Sequence, residues 1–255
     1  MAGMITLNKL SLFNYRNYGE ATASFIPEMN CLLGPNGSGK TNLLDAIHYL
    51  SFCKSAFNPV DRNNIKLGES AFVIKGDYTL NGKDEVLSCA VQKGRKKLFR
   101  RNKKEYGRLA DHIGLFPLVM VSPADADLIT GGSELRRRMM DVVISQYDKE
   151  YLLQLISYNK ALLQRNALLK QFAREGRFDP SELELWDERM LEPGLFVSGK
   201  RSAFLDEFIP VFNQLFTAIS GGEEEVSLAY RAGIGGGDFA DMLRKNMQRD
   251  RALLY

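Results

Sequence analysis

Apolar and polar residues alternate over 4–12 (MITLNKLSL), and that period of two predicts a β-strand. A turn is expected at 14–19 and a second short strand at 24–26. An apolar run at 30–33 stops at Gly34-Pro35 and predicts a buried strand feeding a Gly-rich loop. From Thr41 the period becomes helical, with Leu43, Leu44, Ile47 and Leu50 on one face. Strands are predicted over 72–80 and 85–92, joined by Asn81-Gly82, a pair suited to a tight hairpin. Residues 98–99 and 105–106 flank a further turn around Asn102. The run 115–121 predicts another buried strand, closed by Ser122-Pro123.

Beyond 133 the pattern is almost wholly helical. Ser133 is placed to cap a helix running through Met139, Val142 and Val143. A second helix is expected from about Asp148, with Leu152, Leu155, Ile156, Leu162, Leu163 and Leu169 at helical spacing. Pro180-Ser181 opens a third, where Ser181 and Glu184 fit a capping box. Pro193 and Pro210 are expected to kink or break it, and Gly221-Gly222 to stop it. Val226, Leu228 and Tyr230 return to strand alternation, 233–237 reads as a loop, and Asp238 can cap a last helix. The boundary between a mixed α/β lobe and a helical lobe is expected near 122–133.

The chain has 255 residues, 45% apolar, 10% aromatic and 25% charged. That is ordinary globular usage and excludes disordered and low-complexity classes. With 34 basic and 31 acidic residues the net charge is +3, so the location of charge matters more than its sum. Cys31, Cys53 and Cys89 lack metal-ligand spacing and lie apart from His48 and His112. No zinc site or disulfide framework is expected, and a reducing cytoplasm is the expected compartment. No apolar run approaches the ~18 residues of a membrane helix, and MAGMITLNKL lacks a signal-peptide pattern.

The chemistry is concentrated in GPNGSGKT, residues 34–41. It matches G-x-x-x-x-G-K-[ST] through Gly34, Gly39, Lys40 and Thr41, with Pro35, Asn36, Gly37 and Ser38 between. Glycines let such a loop curl so that backbone N–H groups converge on phosphate oxygens, and the following helix adds its positive end. Lys40 is expected to reach the β- and γ-phosphates and the Thr41 hydroxyl to ligate Mg²⁺. A chance match in a Gly-rich turn is the bland alternative; the flanking strand and helix patterns argue against it. Hydrolysis also needs a carboxylate after a buried strand. Leu118 to Val121 leads into Ser122-Pro123 instead, so no catalytic residue is assigned in this chain.

The segments RNYGEA (16–21), GPNGSGKT (34–41), SPADADLITGGSELRRRMMD (122–141), YNKALLQRNALL (158–169) and LRKNMQRDRALLY (243–255) together resemble the RecF family of bacterial DNA replication and repair proteins. Lys54-Ser55-Ala56-Phe57 resembles a further short stretch of the family. The resemblance implies an α/β P-loop NTPase of the ABC and SMC-head type: a mixed sheet with antiparallel hairpins and an inserted helical lobe. On that basis 1–125 is the first part of the ATP-binding lobe, 126–222 the helical lobe, and 223–255 the start of a return to the first. It implies ATP and Mg²⁺ as ligands, an ATP-dependent homodimer of the intact protein, and DNA as partner at single-stranded gaps and duplex junctions. RecO, RecR and RecA are the implied protein partners. Arg16 and Asn17 would lie near the nucleotide, and Asn36 near the γ-phosphate. The family continues for roughly another hundred residues, so the chain is expected to be C-terminally truncated, without a signature loop or Mg²⁺-organising carboxylate. Ser220-Gly221-Gly222-Glu223 imitates a signature loop but reads as a helix stop.

Lys93 to Lys104 (KGRKKLFRRNKK) carries eight basic residues and no acid. Lys93, Arg95, Lys96, Lys97, Arg100, Arg101, Lys103 and Lys104 suit DNA phosphates; a solvated hairpin edge guarded by cations is the alternative. Arg136-Arg137-Arg138 in a first helical turn opposes the helix dipole and needs an anion, internal or external. Phe204, Phe208, Phe212 and Phe216 read as a core stripe before a base-stacking platform. Two other classes stay open: a P-loop kinase of a small phosphoryl acceptor, and a non-enzymatic DNA-bridging head.

Overall fold

A computed structural model describes residues 5–230 and 239–253. The chain divides into two compact units, Met1–Pro123 and Ala124–Tyr255. The first holds β1 (Ile5–Phe13), β2 (Glu20–Ser24), α1 (Lys40–Phe52), β3 (Ala71–Leu80), β4 (Lys83–Gln92), β5 (Leu98–Arg101) and β6 (Lys104–Glu105). The strands form one sheet in the order β2-β1-β3-β4-β5-β6. Every pairing among the described residues is antiparallel. Asn81 and Gly82, both at positive φ, close the β3–β4 hairpin, and Asn102 and Lys103 do the same for β5–β6.

One face of the sheet is apolar and α1 lies on it. Leu10, Leu12, Phe72, Ile74, Leu87, Cys89 and Phe99 pack with Leu43, Ala46, Tyr49 and Leu50. Tyr15, Tyr49 and Phe72 meet edge to face with centroids 5.1–6.3 Å apart, an arrangement the ring quadrupoles favour. The helix sits close because Gly76 carries no side chain: a Cβ there would meet Leu50 Cδ1 at 2.7 Å. The buried stripe of α1 keeps Leu43 and Leu50 of the predicted face but not all of it. Leu44 is 46% exposed, and Ala46 and Tyr49 take the inner face instead.

Three predicted strands do not form. The second strand lies at 20–24 instead of 24–26, since Ala21 and Ala23 pair with β1 and face its core side. Residues 30–33 and 115–121 form no strand, with Leu33, Val119 and Val121 more than four-fifths exposed. Neither run is a strand of the described sheet. The same holds for 226–230.

The second unit contains α2 (Asp127–Thr130), α3 (Ser133–Tyr147), α4 (Lys149–Glu175), α5 (Pro180–Ser220) and α6 (Phe239–Leu253). Asp148 caps α4 by accepting from Tyr151 N at 2.9 Å, and Asp179, not Ser181, caps α5. Ser133 is the first residue of α3, not its cap. Pro193 and Pro210 leave α5 helical throughout its 41 residues. Around Pro193, Met190 and Val197 are buried against neighbouring helices, contacts that offset the lost backbone bond. Gly221, left-handed at φ 67°, ends the helix, so Ser220 to Glu223 forms a stop. Helix α6 packs on α4 and α5. Asp250 of α6 and Asp187 of α5 both pair with the buried Arg165. The loop expected at 233–237 and the cap at Asp238 lie outside the described residues. Arg136 donates to the carbonyls of Leu128 and Gly131 at 2.7 and 3.0 Å, so backbone acceptors of the preceding turn answer its charge.

His112 is fully buried, its ring between Leu50 O (2.7 Å) and the Tyr106 hydroxyl (3.1 Å). Desolvation lowers its pKa from 6.5 to about 4. The folded state therefore prefers the neutral ring, while the unfolded chain takes up a proton first. Stability is full above about pH 6.5 and is lost as pH falls toward 4, by on the order of 3 kcal/mol. Thermal unfolding across that range should show the loss, and His112→Gln should flatten it. Equal slopes in the two proteins would assign the acid sensitivity elsewhere.

Candidate phosphate-binding site

Residues 34–39 are the bend into α1. Gly34, Gly37 and Gly39 have φ of 152°, 81° and 107°, values that exclude most side chains. Pro35, Asn36, Gly37 and Ser38 are exposed, and Ser38 N donates to Pro35 O at 3.3 Å. The helix begins at Lys40 with no side-chain cap and no acid in its first turn. Amides at that end are thereby left for an external acceptor. Lys40 Nζ lies over the loop, donating to Gly34 O at 2.7 Å and Pro35 O at 2.9 Å. Thr41 is exposed at the first turn. A curled loop, an uncapped helix end, a lysine and a hydroxyl side by side suit a polyphosphate and a hard cation such as Mg²⁺.

The turn at 14–19 abuts this loop. Asn17 Nδ2 reaches Gly37 O at 3.4 Å, and its Oδ1 accepts from Asn42 Nδ2 at 2.8 Å. A Cβ on Gly39 would stand 2.8 Å from the Tyr18 ring and 2.9 Å from Asn17 Nδ2. Glycine at 39 is therefore required twice, by its φ and by its neighbours. Arg16 is left-handed at φ 57° and its Nη2 donates to Asp45 Oδ2 and Ser55 Oγ, each at 3.0 Å.

Asp45 is the residue that sequence reasoning missed. It has no solvent exposure. Its carboxylate accepts from the Tyr15 hydroxyl (2.7 Å), Arg16, Ser55 Oγ (2.8 and 3.0 Å) and Ala56 N (2.7 Å). Burial and the Asp45 charge push the Tyr15 phenol pKa up. Ser55 Oγ in turn accepts from Phe57 N and Asn58 N, which gives the 54–57 stretch its local structure. The available signal was an acid inside the otherwise apolar run LLDAI, since a buried charge requires a partner.

The basic segment is not one free patch. Lys97 Nζ donates to Asp61 Oδ2 (2.8 Å) and Cys53 O (2.7 Å), and Tyr49 also bonds Asp61. Arg101 forms a forked pair with Glu85 at 2.8 and 2.5 Å and lies over the Phe116 ring. The pairing holds the Glu85 carboxyl below its usual range, chiefly through the Arg101 hydrogen bond. Lys93 bonds Glu69 O at 2.7 Å yet stays exposed, as are Arg95, Lys96, Arg100, Lys103 and Lys104. Cys31 is exposed three residues before Gly34, whereas Cys53 and Cys89 are buried. Burial pushes the Cys53 thiol to about 12 and the Cys89 thiol up as well.

Replacing Asp45 by Ala would leave Arg16 without its counter-ion, at a cost of about 3–5 kcal/mol. Denaturant unfolding followed by the tyrosine near-ultraviolet signal should show that loss in the first unit. A change under about 0.5 kcal/mol, the size of an ordinary surface substitution, would mean that the carboxylate is not the hub its contacts suggest.

Residues 6–227 match the model of the RecF/RecN/SMC N terminal domain. The chain is 54% identical over 250 residues to the DNA replication and repair protein RecF of Phocaeicola vulgatus, covering 98% of this chain and 67% of that relative. It is 50% identical to the RecF of Flavobacterium johnsoniae, covering 98% and 69%. Among solved structures, the recombination mediator protein RecF-ATP of the RecFOR pathway superposes with a TM-score of 0.86 at 25% identity, over 100% of this chain and 70% of that one. Matched in sequence and in fold along nearly its whole length, the chain belongs to the RecF family of DNA replication and repair proteins.

Proposed function

We propose that this chain binds ATP with Mg²⁺ at residues 34–41 and uses the bound nucleotide to control its grip on DNA during recombinational repair and replication-fork maintenance. The observation that carries the reading is the exposed loop curled ahead of the uncapped end of α1, with Lys40 Nζ against its carbonyls. A solved relative described as RecF-ATP supports it. Gly34 to Gly39 cradle the phosphates with backbone N–H groups, Lys40 holds their charge and Thr41 ligates Mg²⁺. Asn17 borders the loop, and Asp45 fixes the Arg16 backbone turn from which Asn17 projects. When bound, ATP supplies the charge and shape that differ between the two states of such a switch.

The DNA partner is read from the exposed cations of the basic segment, Arg95, Lys96, Arg100, Lys103 and Lys104, with Lys93 at its start. Single-stranded gaps and duplex junctions are the DNA forms, and the cytoplasm the compartment. An ATP-dependent homodimer and work alongside RecO, RecR and RecA complete the reading, as the family and the RecFOR relative suggest. No described helix is long and apolar enough to cross a membrane.

Titration calorimetry with Mg·ATP tests the site. Lys40→Ala should remove measurable binding, and Gly39→Ala should weaken it at least tenfold through the clash with Tyr18, about 1.4 kcal/mol or more. Wild-type affinity in Lys40→Ala would refute the assignment.

A further inference from the structure

The turn at Asp61–Asn64 and the turn joining β4 to β5 enclose a cleft of about 730 Å³. Its lining includes Arg62 from the first turn and Lys93, Arg95 and Lys97 from the second. Arg62 lies some thirty residues from the basic run, and no motif points to it. The walls are fixed to one another. Lys97 Nζ bridges the turns through Asp61 Oδ2 at 2.8 Å, and Tyr49 bonds the same carboxylate from below. Lys93 Nζ ties the outer edge to Glu69 O at 2.7 Å. Asp61 is the single acid among the lining residues, and Lys97 answers it. Arg62, Lys93 and Arg95 are therefore left as a surplus of positive charge, and all three are exposed. Buried Val91 adds an apolar surface to the cleft.

We infer that this cleft seats the sugar–phosphate backbone of a DNA strand, with Arg62 and Arg95 reaching phosphates from opposite walls. The inference rests on the reading of the basic segment as a DNA contact and narrows it. The preformed part is the Lys97–Asp61 crosslink, which fixes the two walls to one another without spending Arg62 or Arg95. Guanidinium groups match phosphate oxygens in a forked geometry that lysine cannot offer. Arg62, Lys93 and Arg95 address phosphates and not base edges, so their contribution is indifferent to sequence.

The test is DNA affinity of the full chain, read by fluorescence anisotropy with a labelled single strand and with its duplex over a range of salt. Arg62→Ala should weaken binding about fivefold or more, uniformly across sequences, and lower the log–log salt slope by about one. Arg95→Ala should do the same, and Arg62→Lys should restore most of the slope. Lys104→Ala, in β6 and outside the cleft lining, should have the smaller effect. Wild-type affinity and slope in Arg62→Ala, with losses in Arg95→Ala and Lys104→Ala, would overturn the cleft and leave the wider basic segment standing. No loss in any of the three would overturn both.

Discussion

A carboxylate shut away from water organises the first unit. Asp45 sits on the helix that follows the phosphate loop, and nothing apolar can answer its charge. Donors have to come to it from the 15–16 turn and from Ser55 and Ala56. The 15–16 turn and the 55–56 stretch, some forty residues apart in sequence, meet at this carboxylate. Holding them there also fixes Asn17 beside Gly37 and Tyr18 beside Gly39. The curvature of the loop thus depends on a charge one helical turn behind it, as well as on its glycines.

The bend at 34–39 was legible in the sequence because its glycines are close together and set its curvature locally. The β3–β4 hairpin was legible for the same reason: Asn81-Gly82 carries its own turn preference. Long helices followed from periodicity. What failed was whatever depends on a distant partner. Runs 30–33 and 115–121 have strand composition but are not part of the described sheet. The inner face of α1 is chosen by the sheet, which takes Ala46 and Tyr49 and leaves Leu44 outside. The prolines of α5 would end an isolated helix, yet packing around Pro193 carries it through.

Charge shows the same limit. Eight cations in twelve residues look like one surface, but Lys97 and Arg101 are committed to Asp61 and Glu85, 36 and 16 residues away. Strand alternation explains the choice: Phe99 and Arg101 point to the covered face of β5, and Arg100 to the open one. A buried or half-buried cation needs a carboxylate nearby, so part of a basic run near a sheet edge becomes structural. The remainder defines the surface, and folding adds Arg62 to it from a segment that sequence reading passed over.

The three thiols differ in a way that has a practical use. Cys53 and Cys89 are packed in the apolar core, where burial suppresses the thiolate, the form that reacts with electrophiles. Cys31 stands in the open just ahead of Gly34. The native chain therefore offers one accessible attachment point for a maleimide dye, a few residues from the candidate site at 34–41, and needs no engineered cysteine to carry an optical reporter there.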